Sequence, residues 1–306
     1  MHQRGVCAGV VAHNPKSDEL SSLVETLLHS AGWVVVVDNN SSDCFYLEAL
    51  ECQSGVTVIR NSENRGVSGG INQIIKEASA RDAKFVVAFD QDTKITAELI
   101  PVLVGHFESL LASGETVAAI GPCVVDDFTD RGMPFVRFRL PFNTRFNREA
   151  VLQGESLVEC DFLISSGCLM SLQALKDIGV MNDELFIDNV DLEWCFRARQ
   201  KQYRIYGDFT VAVRQQIGVA LTRIPFTNAV IRYHDYSRHY FMTRNRVWLY
   251  RQRHANTAWV VHDVFRFAGK LLYLLVFKGN RLALLKSSLK GVIDSFTLKS
   301  YNNGKI

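Results

Sequence analysis

Two aspartates that directly follow an apolar run are the residues of this 306-residue chain that first suggest chemistry. The run Phe85–Phe89 has the composition of a buried strand, and Asp90, Gln91 and Asp92 come directly after it. Carboxylates at i and i+2 can converge on one divalent cation, and Mg²⁺ or Mn²⁺ is often held by such oxygens together with phosphate oxygens. The pattern predicts a metal and diphosphate site at Asp90 and Asp92, although acidic residues that merely end a strand give the same pattern.

A second pair of carboxylates, Asp188 and Asp191, lies at the start of a predicted helix with the apolar residues Leu192, Cys195 and Phe196. One interpretation is structural, because Asp188 as the N-cap and Asp191 in the first turn would stabilise free amides and the helix dipole. The other is catalytic, because a carboxylate whose free oxygen faces a cleft can act as a general base. The spacing leaves both interpretations open.

Composition excludes a disordered or repetitive chain, since 47% of the residues are hydrophobic and 22% are charged. The length fits one large α/β domain with an appendage, or two modest domains. The net charge of +2 hides an asymmetry: residues 1–231 carry 20 basic and 29 acidic residues, whereas residues 232–306 carry 14 and 3. A basic segment rich in apolar residues suits an anionic membrane surface, a polyphosphate or nucleic acid.

The seven cysteines form no CxxC pair and most lie within apolar runs, which favours reduced thiols over a disulfide scaffold or a zinc site. The apolar stretch Val6–Ala12 is short and leads into no cleavage-like site, unlike a secretory signal. No charge-free run reaches the roughly 18 residues of a membrane-spanning helix. These features predict a cytoplasmic protein.

Apolar runs that alternate with helical patterns predict a doubly wound, mostly parallel sheet. The first predicted strands are Val6–Ala12, Trp33–Val37, Val56–Arg60 and Phe85–Phe89, and the predicted helices include Ser17–Ser30, Gly69–Ala80 and Leu172–Ile178. Further strands are predicted at Val117–Pro122 and Val158–Leu163.

Ligands of such sheets bind beyond the carboxyl ends of the strands, where Asn14, Asp38, Asn64 and Asp90 all fall. No GxGxxG follows the first strand, which disfavours a dinucleotide-binding dehydrogenase. The glycine-rich stretch at residues 66–70 either lets a ligand approach a helix N-terminus or forms a flexible cap.

The C-terminal region, residues 233–306, differs in composition from residues 1–232, because it is strongly basic. It is predicted as a separate basic helical unit. The stretch His234–Asn245 is dense in cations and aromatic residues, and basic residues border apolar runs such as Leu271–Phe277. Such helices favour lying on a membrane surface over crossing it. A packed helical subdomain with a solvated basic face is the alternative.

Seven motifs occur in a fixed order along residues 6–250: Asn14-Pro15, Val37-Asp38-Asn39, Asn64-x-Gly66, Asp90-Gln91-Asp92-Thr93, Ser166-Gly167-x-Leu169-Met170, the string Phe186–Arg197, and Arg238–Asn245. The set resembles glycosyltransferase family 2 and, within it, the bacterial rhamnosyltransferases that use dTDP-L-rhamnose. The Asp-Gln-Asp form and the Phe186–Cys195 string indicate the rhamnosyl branch.

The resemblance implies a GT-A fold and an inverting single displacement. It implies nucleoside contacts around Asn14, at Asp38 and at Asn64, with Asp38 facing the pyrimidine edge. It also implies that Asp90 and Asp92 approach the diphosphate and its metal, Mg²⁺ or Mn²⁺.

The resemblance further implies that an acidic residue of the Asp188–Asp191 turn takes the proton of the acceptor hydroxyl. Of the two aspartates, Asp188 is the preferred candidate for this base and Asp191 is the other. Arg197, or a cation of the cluster that contains Arg238 and Arg244, would offset charge on the leaving diphosphate.

Three positions depart from the family pattern. Many members have Glu-Asp at the base position, where this chain has Asp188-Asn189. Where a histidine is usual, this chain has Gln215, and this second departure weakens the expectation of a metal. His13 stands where a tyrosine is common.

The leading hypothesis is an inverting transferase that adds L-rhamnose from dTDP-L-rhamnose to a lipid-linked or membrane-proximal glycan, as in O-antigen or capsule assembly, on the inner face of the cell membrane. One alternative keeps the fold but uses a UDP-hexose donor. Another is a non-catalytic module that binds a sugar nucleotide or glycan. A nucleic-acid partner is not expected, because the basic region has no recognised reader motif.

Overall fold

The computed structural model describes residues 3–148, 154, 156–216, 220–223, 230–233, 236–277, 281–299 and 301. The strands are Gln3–Ala12 (β1), Ala31–Asp38 (β2), Val56–Arg60 (β3), Phe85–Asp90 (β4), Val117–Asp126 (β5), Arg131–Gly132 (β6), Phe135–Arg137 (β7), Thr144–Phe146 (β8), Leu157–Cys160 (β9), Leu169–Ser171 (β10), Arg204–Gln215 (β11), Ala220–Arg223 (β12) and Val230–Tyr233 (β13). The α-helices are Ser17–Leu28 (α1), Phe45–Glu51 (α2), Gly66–Ala80 (α3), Leu99–Ala112 (α4), Leu172–Ile178 (α5), Val190–Gln200 (α6), Tyr236–Tyr250 (α7), Thr257–Phe277 (α8) and Arg281–Ser295 (α9).

A large central sheet has the strand order β3-β2-β1-β4-β10-β5-β11-β9, and β6 pairs with the end of β5. Strands β1 to β4 are parallel, and β11 is parallel to β5. The short strand β10 runs antiparallel between β4 and β5, and β9 is antiparallel at the far edge. The predicted α/β class with a mostly parallel sheet is confirmed.

Helices cover both faces of the sheet, as the continuous apolar runs of its strands require. In β4, Phe85, Val87 and Phe89 pack into the same core cluster as α1 and α4, whereas Val86 and Ala88 pack with α3, α5 and α6 on the opposite face. The alternation follows from the two-residue period of a strand. Every residue of β4 before Asp90 is buried, so Asp90 is the first residue of the strand to reach the open edge of the sheet.

The C-terminal helices share the core of the sheet. Trp259 of α8 makes an edge contact with Phe196 of α6, which in turn contacts Phe138, and Trp248 of α7 is 1% exposed. Among the described residues, no helix combines the length and the apolarity needed to cross a bilayer. Residues 234 and 235, near the start of the predicted basic region, lie outside the described residues.

The glycine-rich stretch at residues 66–70 begins α3, three residues before the predicted start of that helix. The amides of Val67 and Ser68 donate to the carbonyl of Phe186, at 2.7 and 3.3 Å. The carbonyl of Phe186 therefore occupies the helix N-terminus at which the sequence analysis allowed a ligand to bind. Gly66 has a φ of +71°, and a Cβ there would lie 2.3 Å from the Phe186 oxygen.

We predict that Gly66→Ala lowers the free energy of unfolding by about 2–4 kcal/mol, because it combines a left-handed backbone with a backbone clash. The matched control is Gly105→Ala on α4, where an added Cβ meets nothing within 4 Å. That control should stabilise the protein by about 0.5–1 kcal/mol through helix propensity. Urea unfolding of both variants measures the difference, and equal effects would contradict the role assigned to Gly66.

Candidate active site

Two adjoining clefts open at the carboxyl edge of the sheet. The larger has a volume of about 490 Å³ and the smaller about 360 Å³, and Asp92, Gln216 and Arg238 line both. The larger cleft is also lined by Asp90, Asp188, Asn189, Asp191 and Gln215, and by the apolar side chains Val67, Phe162, Ile164, Ile187 and Val190. The smaller cleft contains Asn14 and Lys16. The structure therefore brings both predicted carboxylate pairs to one place.

Asp90 is held in the larger cleft by the turn that ends β4. The Thr93 amide donates to the Asp90 carbonyl at 3.1 Å, and the Asp90 amide donates to the Ser166 hydroxyl at 3.1 Å. Burial raises the pKa of Asp90 to about 6, with further contributions from the charges of Asp92 and Asp191 and an opposing one from Arg238. Burial also raises the pKa of Asp92. These carboxylates are crowded enough to favour a neutralising cation.

The turn before α6 has an unusual backbone. Phe186, Asp188 and Asn189 all have φ values near +60°, a region that residues with a side chain seldom adopt. The Asn245 side chain of α7 donates to the carbonyls of Leu185, Ile187 and Asp188, and the start of α3 donates to the carbonyl of Phe186. Strained turns that neighbouring elements hold in this way cluster at functional sites.

Asp188 is not the N-cap of α6, a position that Asn189 occupies. Its two carboxylate oxygens accept hydrogen bonds from Nε and Nη2 of Arg238, at 3.2 and 3.1 Å. Such a two-point contact fixes both side chains. Arg238 thus reaches both clefts from α7 and is anchored on Asp188.

Asp191 lies in the first turn of α6 and faces Asp90 across the larger cleft. Its carboxylate accepts from the Leu192 amide at 2.8 Å and, more weakly, from the Ser165 amide at 3.4 Å. Burial nevertheless raises the pKa of Asp191 to about 6, because the two hydrogen bonds lower it by less and the Asp188 charge adds to the increase. Asp191 is therefore a carboxylate whose affinity for a proton is well above normal.

Asn14, Asp38 and Asn64 follow the carboxyl ends of the strands as predicted, but only Asn14 lines a cleft. The Asp38 carboxylate is 2% exposed and accepts from the Ser41 hydroxyl and from Tyr46 OH, the latter at 2.8 Å. Asn64 accepts from the Gly66 amide at 2.9 Å. In this structure Asp38 and Asn64 stabilise their own loops.

Arg197, predicted as a candidate for the leaving diphosphate, is not brought to either cleft. Its guanidinium is buried, pairs with Glu193 at 2.8 Å and lies 3.9 Å from the centre of the Tyr301 ring. It also donates to the carbonyls of Ile178, Gly179 and Val180. These contacts make Arg197 a structural residue that joins α5, α6 and the chain near Tyr301.

Arg244 also lines neither cleft. It donates to the carbonyls of Glu184 and Leu185 and lies 4.9 Å from the centre of the Phe241 ring. It therefore supports the turn before α6 from behind, while Arg238 is the member of the predicted cluster that faces the clefts.

The donor atoms near Asp90 and Asp92 fit a cation that also binds a substrate. Within the described residues, no three His, Cys, Asp or Glu side chains form a ready-made metal cluster. Mg²⁺ needs only one or two carboxylates when phosphate oxygens supply further ligands. Gln215 is buried near Asp90 and Asp92, and its side-chain oxygen accepts from the Thr93 hydroxyl at 3.5 Å. An amide therefore occupies the position where the family pattern has histidine.

Several residues that shape the site were missed by the sequence analysis as site residues. Ser165 and Ser166 contact Asp191 and Asp90, and Asn245 fixes the turn before α6. Ser165 precedes the Ser-Gly-x-Leu-Met motif and Ser166 begins it, and this motif was the sequence signal that could have identified both. Nothing in the sequence distinguished Asn245 from the rest of its basic stretch.

We predict that Asp191→Asn stabilises the metal-free, donor-free protein at pH 7.5 by about 1–2 kcal/mol. The folded-state pKa of about 6 exceeds the ordinary aspartate pKa of 3.8, so the folded protein binds the proton more tightly than the unfolded chain, and stability falls as pH rises between these values. The variant should lose its advantage below about pH 4.

Urea unfolding at both pH values measures this difference, with Asp127→Asn as the control. Lys94 and Arg214 lower the pKa of Asp127, so its replacement should destabilise at pH 7.5. An Asp191→Asn variant that is less stable than the wild type at pH 7.5 would contradict the assignment.

Comparison with known proteins places this geometry in a family. The sequence profile of glycosyl transferase family 2 matches residues 7–179. The chain is 25% identical over 289 residues to a dTDP-rhamnosyl transferase, RfbF, of Shigella flexneri, covering 94% of each chain. It is 24% identical over 202 residues to the low-salt glycan biosynthesis hexosyltransferase Agl10 of Haloferax volcanii, covering 64% of this chain and 62% of that protein.

Solved structures show the same fold. S. aureus TarS 1-349 superposes with a TM-score of 0.57 at 17% identity, covering 95% of this chain and 80% of that one. GalNAc-T7, solved with UDP, GalNAc and Mn²⁺, superposes with a TM-score of 0.55 at 13% identity, covering 69% of this chain but only 44% of that one. With its GT-A fold and the profile match over more than half of its length, the chain belongs to glycosyl transferase family 2.

Proposed function

We propose that the protein is an inverting glycosyltransferase that moves L-rhamnose from dTDP-L-rhamnose to a hydroxyl of a cell-surface glycan precursor. The observation that carries the proposal is the placement of Asp90 and Asp92 in the same cleft as Asp191. A donor diphosphate and a proton-accepting carboxylate can therefore meet at one anomeric carbon. The likeness to RfbF along 94% of both chains supports the choice of donor.

The donor diphosphate is proposed to lie over Asp90 and Asp92. Two carboxylates without a cation would repel it, so we assign them a shared Mg²⁺ or Mn²⁺, which would neutralise the phosphate charge when bound. The Mn²⁺ and UDP present with GalNAc-T7 support this choice of metal. We assign the nucleoside contact to Asn14, because it lines the adjoining cleft.

Arg238 is proposed to stabilise the leaving diphosphate. Its guanidinium borders both clefts and lowers the pKa of the neighbouring Asp90, so its charge acts where phosphate oxygens would collect negative charge. Asp188 holds the guanidinium in place through both carboxylate oxygens. Asp188 is then a positioning residue.

Asp191 is proposed as the general base, in place of the preference for Asp188 that the sequence suggested. Both oxygens of Asp188 accept from the Arg238 guanidinium, whereas the donors to the Asp191 carboxylate within the described part of the chain are backbone amides, and the pKa of Asp191 is raised. In the reaction, Asp191 takes the hydroxyl proton, the acceptor oxygen bonds to the anomeric carbon, and the bond to the diphosphate breaks with its electrons. Attack opposite the leaving group inverts the configuration.

The acceptor is proposed to be a lipid-linked oligosaccharide or a similar glycan presented at the inner face of the cell membrane. Asn189 lines the larger cleft from the turn that carries Asp188, and its side-chain amide offers a sugar acceptor a hydrogen-bonding group.

A UDP-hexose donor is the second candidate. The likeness to the hexosyltransferase Agl10 favours it, and TarS 1-349, which has also been solved with UDP-GlcNAc, superposes with a TM-score of 0.53.

A donor panel decides between the candidates. We expect purified protein with Mg²⁺ or Mn²⁺ and membrane lipid extract to release nucleoside diphosphate from dTDP-L-rhamnose and not from UDP-hexoses. We expect EDTA to abolish release and Asp92→Asn to weaken metal binding. Turnover with a UDP-hexose alone would replace the rhamnosyl assignment, and donor binding without any turnover would indicate a non-catalytic module.

We predict that Asp191→Asn lowers kcat by about 10²–10⁴-fold, the usual contribution of a general base. In the wild type, kcat/KM should fall as pH drops below about 6, because protonated Asp191 cannot accept the hydroxyl proton. Asp188→Asn, which is nearly isosteric and leaves Asp191 intact, should retain an acidic limb and lose about tenfold in rate. That limb should shift to lower pH, because the Asp188 charge no longer raises the pKa of Asp191. A larger loss for Asp188→Asn, together with loss of the acidic limb, would return the base to Asp188.

A further inference from the structure

Helix α9 packs closely on α7 through small residues. Ser288, Gly291 and Ser295 are buried on this side, and a Cβ at Gly291 would lie 2.8 Å from the carbonyl oxygen of Tyr240. The contact is fixed further by a hydrogen bond from Tyr240 OH to Asp294 at 2.7 Å. The face of α9 toward the protein is therefore already packed against α7.

Leu284 of α9 is also buried, but five other large apolar side chains of α9 and of the turn after it are exposed. They recur every three or four residues, which places them along one helix face, and their exposed fractions run from 44% to 80%: Leu282, Leu285, Leu289, Ile293 and Phe296. We call this the α9 stripe. Burial of such a row from water is favourable, so an unburied row of this length indicates a partner.

Helix α8 has a second exposed row, formed by Val261, Val264, Phe265, Leu272 and Val276, with exposed fractions from 36% to 76%. The spacing again matches one helix face. Two successive helices of the basic region thus expose apolar side chains in the same manner.

The charges beside these rows are cationic. Arg281 and Lys286 of α9 and Arg266 of α8 are exposed. The acidic residues of the two helices are both engaged within the protein: Asp263 is 1% exposed and contacts Arg246 and Arg266, and Asp294 accepts from Tyr240. The surface therefore pairs apolar side chains with positive charge.

We propose that the α9 stripe, with the exposed row of α8, docks on the surface of an anionic lipid bilayer. Apolar side chains would enter the boundary between headgroups and acyl chains while the arginines and lysines contact lipid phosphates. A second copy of the chain is the less favourable occupant, because residues 232–306 carry 14 basic and 3 acidic residues and two such surfaces would repel. The proposal rests on the proposed function for its biological purpose.

Docking at this surface would connect the membrane to the cleft through α7. The same helix supports α9 on one side and contributes Arg238 and Asn245 to the site on the other. A lipid-linked acceptor at the bilayer would then be delivered to a cleft whose position is fixed relative to the membrane.

Co-sedimentation of the full chain with vesicles, without donor or acceptor, tests the surface. We expect phosphatidylglycerol vesicles to bind the protein at least about tenfold more strongly than phosphatidylcholine vesicles. Leu289→Glu should weaken binding by about tenfold, and Lys286→Gln by about fivefold. Leu111→Glu on α4, a residue 47% exposed, is the matched control and should bind like the wild type.

Three outcomes would overturn the proposal: equal binding to both vesicles, equal loss for Leu289→Glu and Leu111→Glu, or a concentration-dependent dimer that Leu289→Glu dissociates in sedimentation velocity. Turnover with a detergent-dispersed acceptor separates this test from that of the function. We expect Leu289→Glu to keep that activity. If the wild type binds anionic vesicles but has no transfer activity, the docking surface stands and the proposed function fails.

Discussion

The site depends on like charges held close together. Asp90, Asp92 and Asp191 converge at the edge of the sheet. Burial raises the pKa values of Asp90 and Asp191 to about 6, and the charges of Asp92 and Asp191 at Asp90, and of Asp188 at Asp191, add to the increase. This arrangement is unfavourable in the protein alone, and the core of the sheet, buried up to Phe89, maintains it. The same carboxylates suit a metal-bound diphosphate and an acceptor proton, so the electrostatic cost of gathering them and the proposed chemistry have one cause.

Two elements from distant parts of the chain hold the carboxylates in position. The start of α3 binds the Phe186 carbonyl, and Asn245 of α7 binds three carbonyls of the turn that ends at Asp188. Arg238, about two helical turns before Asn245, then meets Asp188. The basic C-terminal region is thus a structural part of the site, and its exposed apolar rows lie on helices that pack against the same α7.

The sequence predicted the strand that carries Asp90 and the helix that carries Asp191, because an apolar run marks the strand and apolar periodicity marks the helix. It did not predict the short helix Phe45–Glu51 or the three-residue strand Leu169–Ser171. Leu169–Ser171 is a strand because it pairs with β4 and β5. The sequence also did not predict the contacts of Arg197 and Asp188. A guanidinium that binds Glu193 and three carbonyls has the same local sequence as one that binds phosphate, and the Asp188–Arg238 contact joins residues 50 positions apart.

The proposed mechanism is a single displacement in which Asp191 takes the acceptor proton while the diphosphate leaves from the opposite side. NMR of the glycoside formed from dTDP-L-rhamnose measures the one-bond C1–H1 coupling of the transferred sugar, which reports its anomeric configuration. We predict a configuration opposite to that of the donor. Retention of the donor's configuration would contradict a single displacement.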